Sequence, residues 1–467
     1  MPRYALTALI VACALFMENL DGTVISTSLP AIALDLHEDP IALKLALTSY
    51  LLSLAIFIPA SGWAADRFGA RTIFRGAIIV FTLGSIFCGL SSTLTEFVAA
   101  RILQGFGGAM MVPVGRLVLL RSTERQYLVR AMAYLAIPAL IGPVAGPPLG
   151  GFITTYFHWR WIFFINVPIG LLGFVLVSLF IENIRAEKAW PLDVTGFLLS
   201  GAGLSMLIFG LTVAGRSFVP PAIVAALVLA GGILVLLYVW HARRSDYPLL
   251  DLRLLEIPTY RASILGGSLF RIGIGAIPFL LPLMLQIGFG MNPFESGSVT
   301  FVAAAGSMLM KTTAEPILRL FGFRPVLVFN ALLSSVFLAS YGFFTPATPI
   351  AVMMGLLLFG GFFRSLQFTS LNVIAYAEVD PDLVSRATSF AAVAQQLSLS
   401  IGVALGAAVL ELMRQMHGEA HVAAADFRWA FITVAAVSAA SVVSFLSLPA
   451  DAGAALAGRA PREAAAE

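Results

Sequence analysis

The chain has 467 residues, 59% of them hydrophobic and 11% charged, with a mean hydropathy of +0.93. A soluble domain carries about 25% charged residues, so this composition excludes a water-soluble globule and leaves a polytopic membrane protein. The net charge of +3 gives no footprint for nucleic acid, and Cys13 and Cys88, both inside apolar runs, give no disulfide framework.

The first apolar run contains Glu18 and Asp21 and no small-residue cleavage site, so it predicts a first span and not a removed leader. Apolar stretches near the ~20 residues that cross a bilayer recur at 5–26, 43–63, 73–92, 96–117, 130–154, 161–181, 194–214, 219–240, 262–287, 296–315, 325–344, 349–372, 387–410 and 428–448. With the N-terminus in the cytoplasm, eighteen of the 28 lysines and arginines fall in inner loops. Five fall in outer loops, at Lys44, Arg160, Arg216, Arg414 and Arg428, and five within spans, at Arg101, Arg116, Arg271, Lys311 and Arg364. That bias predicts an even number of spans with both termini cytoplasmic. The Ala-rich stretch 451–467 reads as a disordered cytoplasmic tail.

A weak internal repeat runs through this pattern. Arg67-Phe-Gly69-Ala-Arg71 follows the second span and Leu320-Phe-Gly322-Phe-Arg324 the tenth; Gly142 and Gly146 in the fifth span match Gly402 and Gly406 in the thirteenth. Matches this short also arise by chance. Taken as real, they divide the chain into an N-terminal six-helix bundle (1–185), two inserted helices with linkers (186–256) and a C-terminal six-helix bundle (257–450), a plan many secondary transporters share.

Five segments carry recognisable motifs. Leu20-Asp21-Gly-Thr23-Val-Ile-Ser-Thr-Ser-Leu-Pro30 closes the first span, and Gly62-Trp-Ala-Ala-Asp66-Arg67-Phe-Gly69-Ala70-Arg71 joins the second to the third. Arg101-Ile-Leu-Gln104-Gly105-Phe-Gly107-Gly108 lies in the fourth, and Gly142-Pro-Val-Ala-Gly146-Pro147-Pro-Leu-Gly150-Gly151 in the fifth. Trp159-Arg-Trp-Ile-Phe-Phe-Ile-Asn-Val-Pro168 opens the sixth. Together these resemble the major facilitator superfamily, in particular its fourteen-helix drug:proton antiporters and, among those, the MdtD-like multidrug exporters. The resemblance covers nearly the whole chain. Ala70 departs from it, standing where the family often has a basic residue.

The resemblance implies a major facilitator fold: two pseudo-repeat six-helix bundles plus two inserted helices, fourteen transmembrane helices in all. It implies that Asp66, Arg67, Gly69 and Arg71 gate the cycle by latching one half to the other. Asp66 suits a helix N-terminus, where a carboxylate is favoured, and the repeat nominates the thirteenth span. The simpler alternative is a turn that only sets topology. Gly142, Gly146, Pro147, Gly150 and Gly151 match the family's antiporter signature. Their small faces allow close backbone approach to a neighbour, again expected to be the thirteenth span at Gly402 and Gly406.

Glu18 and Asp21 share a helix face. Charge at the bilayer centre costs about 2.5–3.5 kcal/mol or more, so these residues face a cavity or a partner. A carboxylate there can load and release protons, and Arg101 falls at similar depth. Proton coupling through Asp21, Glu18 and Arg101 is one reading; a permanent structural ion pair is the other. By resemblance, the first, fourth, ninth and twelfth spans line the central cavity, which makes Arg271, Arg364, Arg116, Gln367 and Gln286 candidates for substrate binding. The amides serve interhelical hydrogen bonds equally well. Lys311 and Glu315, four residues apart, read as a local pair.

His37, His158, His241, His417 and His421 all fall in loops, and the chain has no metal-ligand spacing, phosphate-binding loop or nucleophile elbow. The reading is therefore a transporter and not an enzyme. It needs no cofactor or metal and is driven by a proton gradient. It works as a monomer in the bacterial inner membrane, with lipid, protons and a small-molecule substrate as its partners. Drug or toxic-compound efflux follows from the resemblance. The excess of arginine over carboxylate at membrane depth keeps open an exporter of organic acids or metal–carboxylate complexes. A non-transporting membrane sensor is the remote alternative.

Overall fold

In a computed structural model, the described residues are 2–123, 127–183, 185, 191–213, 220–380, 383–417 and 422–454. Most of the predicted tail, with Arg459 and Arg462, lies outside them, as do Arg125, Lys188, Arg216 and His421.

Helices are the only regular structure among the described residues. In chain order they are α1 (Arg3–Val24), the short α2 (Leu29–Asp35), α3 (Lys44–Phe68), α4 (Ala70–Leu90), α5 (Leu94–Ser122) and α6 (Leu128–Tyr156). Next come α7 (Trp161–Phe164), α8 (Asn166–Phe180), α9 (Val194–Val213), α10 (Pro221–Ala242), α11 (Pro258–Gly275) and α12 (Ile277–Leu283). The chain continues through α13 (Pro293–Phe321), α14 (Phe323–Tyr341), α15 (Ile350–Ile374), α16 (Val384–His417) and α17 (Asp426–Leu446). A helix satisfies its own backbone donors and acceptors, which lipid demands of any spanning segment. The outward faces carry large apolar side chains: Leu179 is 71% exposed, Leu236 69% and Val443 74%.

Twelve helical segments among the described residues are long and apolar enough to cross a membrane. The fifth and tenth spans read from the sequence correspond to α6 and α13, of 29 residues each, which are not among those twelve. In α13, Glu295, Lys311, Glu315 and Arg319 interrupt the apolar run.

Two compact units emerge. The first comprises Met1–Leu249 together with Met291–Ser298, the second Leu250–Gly290 together with Val299–Glu467. In the first, α1 packs on α5, α6 and α8, α4 on α5, and α3 on α5 and α9, while α9 pairs with α10. In the second, α11 packs on α16 and α17, and α14 on α15 and α17, around a core that includes Phe270, Met310, Leu327, Leu371 and Phe445.

Two local outcomes follow from proline chemistry. The predicted ninth span is present as Pro258–Gly288, with a one-residue turn at Ala276 between α11 and α12 and a π-helical turn at Met284–Gly288. Pro278 and Pro282 remove backbone donors within that stretch. The stretch from Gly142 to Gly151, with its three prolines and four glycines, nevertheless stays within α6.

Candidate functional site

Asp21 is the centre of a buried polar cluster drawn from four helices. Its Oδ2 accepts a hydrogen bond from Arg101 at 2.7 Å, and its Oδ1 accepts from Gln104 Nε2 at 2.8 Å and from Asn166 Nδ2 at 2.9 Å. Gln104 Nε2 also donates to Ser85 Oγ at 2.8 Å, and Arg101 donates to Gln104 Oε1 at 2.6 Å. The Arg101 guanidinium lies over the Tyr50 ring at 4.1 Å. Asp21, Ser85, Arg101, Gln104 and Asn166 are all buried. The predicted pairing of Asp21 with Arg101 is present. Ser85, Asn166 and Tyr50 were not foreseen, because an isolated serine, amide or tyrosine in an apolar span has no periodic signature.

Glu18, one turn earlier on α1, has different surroundings. Its Oε2 is buried and has no hydrogen-bond partner. The charges acting on it are Arg116, on α5, and Asp21. Gly108 leaves space beside it: a Cβ there would come within 3.7 Å of the Glu18 carboxyl carbon. Arg116 itself is exposed.

The turn after α3 depends on Gly69, whose φ of 96° is open to glycine and strained for other residues. Asp66 accepts from Arg121 Nη2 at 2.6 Å, at the end of α5. Arg121 belongs to the same unit, so this ion pair fastens the turn within the first bundle. Arg71 donates to the Ile181 carbonyl at 3.2 Å, just past α8, while Arg67 is exposed. The second unit repeats the device. Gly322 has φ 80°, and Arg324 donates to the Leu446 carbonyl at 3.0 Å, at the end of α17.

The glycines of α6 also have other neighbours than the sequence reading expects. Gly142 faces Asn19 and Leu20, Gly146 faces Thr23, and Gly150 faces the Val24 carbonyl, all on α1 or its end. Gly402 and Gly406 of α16 face Ile272, Gly275, Ala276 and Leu280, on α11 and α12. Each glycine face thus closes on the first long helix of its own half of the sequence. The glycines of α6 and α16 leave room for the α1 and α11 backbones to approach closely there. Gly151 differs: a Cβ there would run into the Pro293 carbonyl, and one on Gly297 into the Pro147 carbonyl. Phe294 N donates to Thr155 Oγ1 at 3.0 Å across the same contact.

In the second unit Arg271 is 2% exposed, yet its Nε and Nη1 have no hydrogen-bond partner. Nη2 reaches Asn372 Oδ1 at 3.4 Å, and the Phe368 ring lies 5.6 Å away. Arg364 is half-buried and makes no ion pair among the described residues. Gln367 accepts from Asn330 Nδ2 at 2.9 Å and donates to the Leu327 carbonyl at 3.1 Å, which ties α15 to α14 and leaves little for a ligand. Gln286 sits half-buried in the π-helical turn. Lys311 and Glu315 are both exposed, and no ion pair joins them among the described residues.

Charge this deep in apolar helices is costly to keep for packing alone. Helices that retain it, with a carboxylate oxygen and two guanidinium nitrogens left unbonded, are those of a multi-pass membrane transporter. A profile described as Major Facilitator Superfamily matches residues 11–252 and 263–465, and the chain belongs to that family. It is 37% identical over 450 residues to a Salmonella typhi protein, MdtD, named for multidrug resistance, covering 95% of this chain and 94% of that one. Among solved structures it resembles an auto-inhibited POT-family peptide transporter (TM-score 0.68, 17% identity, covering 99% of this chain and 98% of that one). It also resembles a D-xylose–proton symporter (TM-score 0.67, 15% identity, covering 96% and 98%). At such identities these two likenesses speak for the fold alone.

Proposed function

We propose that this protein is a proton-coupled efflux transporter for drugs or toxic compounds. It works by alternating access, with fourteen spans and both termini on the cytoplasmic side of a bacterial inner membrane. The name of the MdtD relative supports the substrate class, and the lysine and arginine bias supports the orientation. Neither carries the mechanism. The observation that does is the contrast between two carboxylates one turn apart: both oxygens of Asp21 are engaged, by three donors, while Glu18 Oε2 has none. A carboxylate with an open oxygen has room to take a proton, and Glu18 is assigned that role. Asp21 and Arg101 hold α1, α5 and α8 in register around it. As substrate leaves outward, Glu18 takes a proton from outside and loses its charge beside Arg116; its release of that proton inside restores the charge as the next substrate binds. The gradient is the only energy source required, and no cofactor takes part.

Arg271 favours a second reading of the cargo. A buried guanidinium with two unbonded nitrogens and no carboxylate partner among the described residues calls for an anion. Organic acids or their metal complexes would be exported by the same cycle.

Proteoliposomes under an imposed pH gradient test both. Cationic dye and a tricarboxylate are offered to the native chain and to the Glu18→Gln, Asp21→Asn and Arg271→Ala variants. The proposal expects Glu18→Gln to abolish gradient-driven export of whichever solute moves. Coupling intact in Glu18→Gln and lost only in Asp21→Asn would reverse the assignment. Dye export that ignores Arg271→Ala, with no tricarboxylate flux, would end the anion reading.

A further inference from the structure

Within the first unit, α9 meets α3 at one level and leaves it at another. Phe57 and Phe197 touch ring to ring with centroids 5.8 Å apart, and a Cβ on Gly201 would meet Ile56 at 3.3 Å. Further along α9, between Ser205 and Thr212, the two helices separate. A cavity of about 300 Å³ lies there between α3, α5 and α9, with Leu227 of α10 at its edge.

The cavity belongs to one leaflet. Beside it α3 begins at Lys44, α5 begins at Leu94, α9 ends at Val213 and α10 begins at Pro221. Its rim is open to the side: Ile102 is 47% exposed, Phe209 47% and Met206 36%. For a spanning helix that side is lipid.

The wall chemistry selects the occupant. Most lining residues are aliphatic or aromatic. Four of the five hydroxyls among them, those of Thr48, Ser49, Ser53 and Thr212, already donate to backbone carbonyls. Thr48 donates to the Lys44 carbonyl at 2.9 Å, Ser53 to the Ile102 carbonyl at 2.8 Å and Thr212 to the Ile208 carbonyl at 2.6 Å. A polar or charged solute would give up hydrogen bonds on entry and regain few. A lipophilic solute already dissolved in the bilayer gains no hydrophobic free energy by moving from lipid tails to an equally apolar wall. Packing and abundance then decide, and both favour an alkyl chain. Concave apolar sites of small-molecule size begin at about 300 Å³, room for part of a tail and not for a headgroup.

We propose that this cavity seats one acyl chain of a membrane phospholipid from the leaflet in which α3 and α5 begin. The chain fills the gap between α9 and the α3–α5 pair, and so completes the attachment of the α9–α10 hairpin to its unit. This goes beyond the transport reading and does not depend on which solute is moved.

The test uses the full-length protein in liposomes of phosphatidylethanolamine with a photoreactive diazirine in the acyl chain, with cross-linked peptides mapped by mass spectrometry. Peptides covering 45–56 and 205–212 should take up several-fold more label than the peptide around Leu236, which is 69% exposed on α10 and lines no part of the cavity. Ser205→Trp and Ser49→Trp, which fill the cavity from opposite walls, should each cut that excess several-fold and leave the Leu236 label unchanged. Label no denser than at Leu236 in the native chain overturns the proposal, and this arm stands alone if both variants misfold. Excess label that both folded variants leave unchanged overturns it as well. Excess label displaced by a lipophilic dye identifies a drug subsite and equally refutes the lipid assignment.

Discussion

Glu18 and Asp21 are the same kind of group, three residues apart on α1, and their neighbours make them different. Asp21 is bonded to Arg101, Gln104 and Asn166, with Ser85 bridging the two amides. Removing one partner of a buried ion pair costs about 3–5 kcal/mol, whereas replacing both by apolar groups is often neutral. Asp21→Asn should therefore lower stability in detergent by about that much, and Asp21→Leu with Arg101→Met, which replaces both partners by apolar groups, should recover much of the loss. Glu18→Gln should change stability little, because the open oxygen contributes no bond. Thermal unfolding of the four purified proteins reads this directly, and an Asp21→Asn variant as stable as the native chain would contradict it. The Asp21–Arg101 pair was legible because two opposite charges at similar depth on antiparallel spans have few other partners. The separation of Asp21 from Glu18 was not legible. It rests on which amides reach the first carboxylate, and side-chain reach has no pattern in a single sequence.

At the scale of elements the helices and their faces were legible, while the C-terminal ends of α3, α5 and α13 run five or six residues past the apolar stretches that mark them. The turns at Gly69 and Gly322 carry the same positive-φ glycine followed by the same arginine-to-carbonyl bond. A non-glycine residue forced into such a conformation costs on the order of 1–3 kcal/mol. Gly69→Ala and Gly322→Ala should each lower stability by about that amount, while Gly62→Ala, which has open space at its Cβ, should be near neutral. Equal melting temperatures for Gly69→Ala and Gly62→Ala would show that the turn is not under this constraint. The glycine faces of α6 and α16 were visible as faces because their spacing follows the helix period. Their neighbours could not be read from that spacing, because a stripe of small residues tells that something approaches closely and not what. The internal repeat pointed at the opposite stripe, and the structure brings α1 and α11 instead. The ninth span was legible as a whole, Pro258–Gly288, while its turn at Ala276 was not, because a continuous apolar run hides prolines that hydropathy does not weigh.

Composition alone settled the class of the whole molecule, since 11% charge cannot cover a soluble surface of this size. What composition could not show is how the chain divides. Residues 291–298 belong with the first unit although they follow the first forty-one residues of the second, and α13 passes from one unit to the other along its length. This has a consequence for biogenesis. The first unit is not finished when its own first 249 residues have been made. The seat beside Gly151 and Pro147 stays open until Pro293, Phe294 and Gly297 emerge from the ribosome and insert. The nascent bundle must therefore wait in the membrane with one face of α6 unfilled while α11 and α12 are being synthesised. A chain cut after residue 249 and expressed as two fragments should yield an N-terminal piece that is degraded faster alone than with its complement. Moving the cut to follow residue 298 should lengthen the lifetime of the lone N-terminal piece in pulse–chase labelling. Identical lifetimes for the two N-terminal pieces would show that this late-arriving segment is dispensable for assembly.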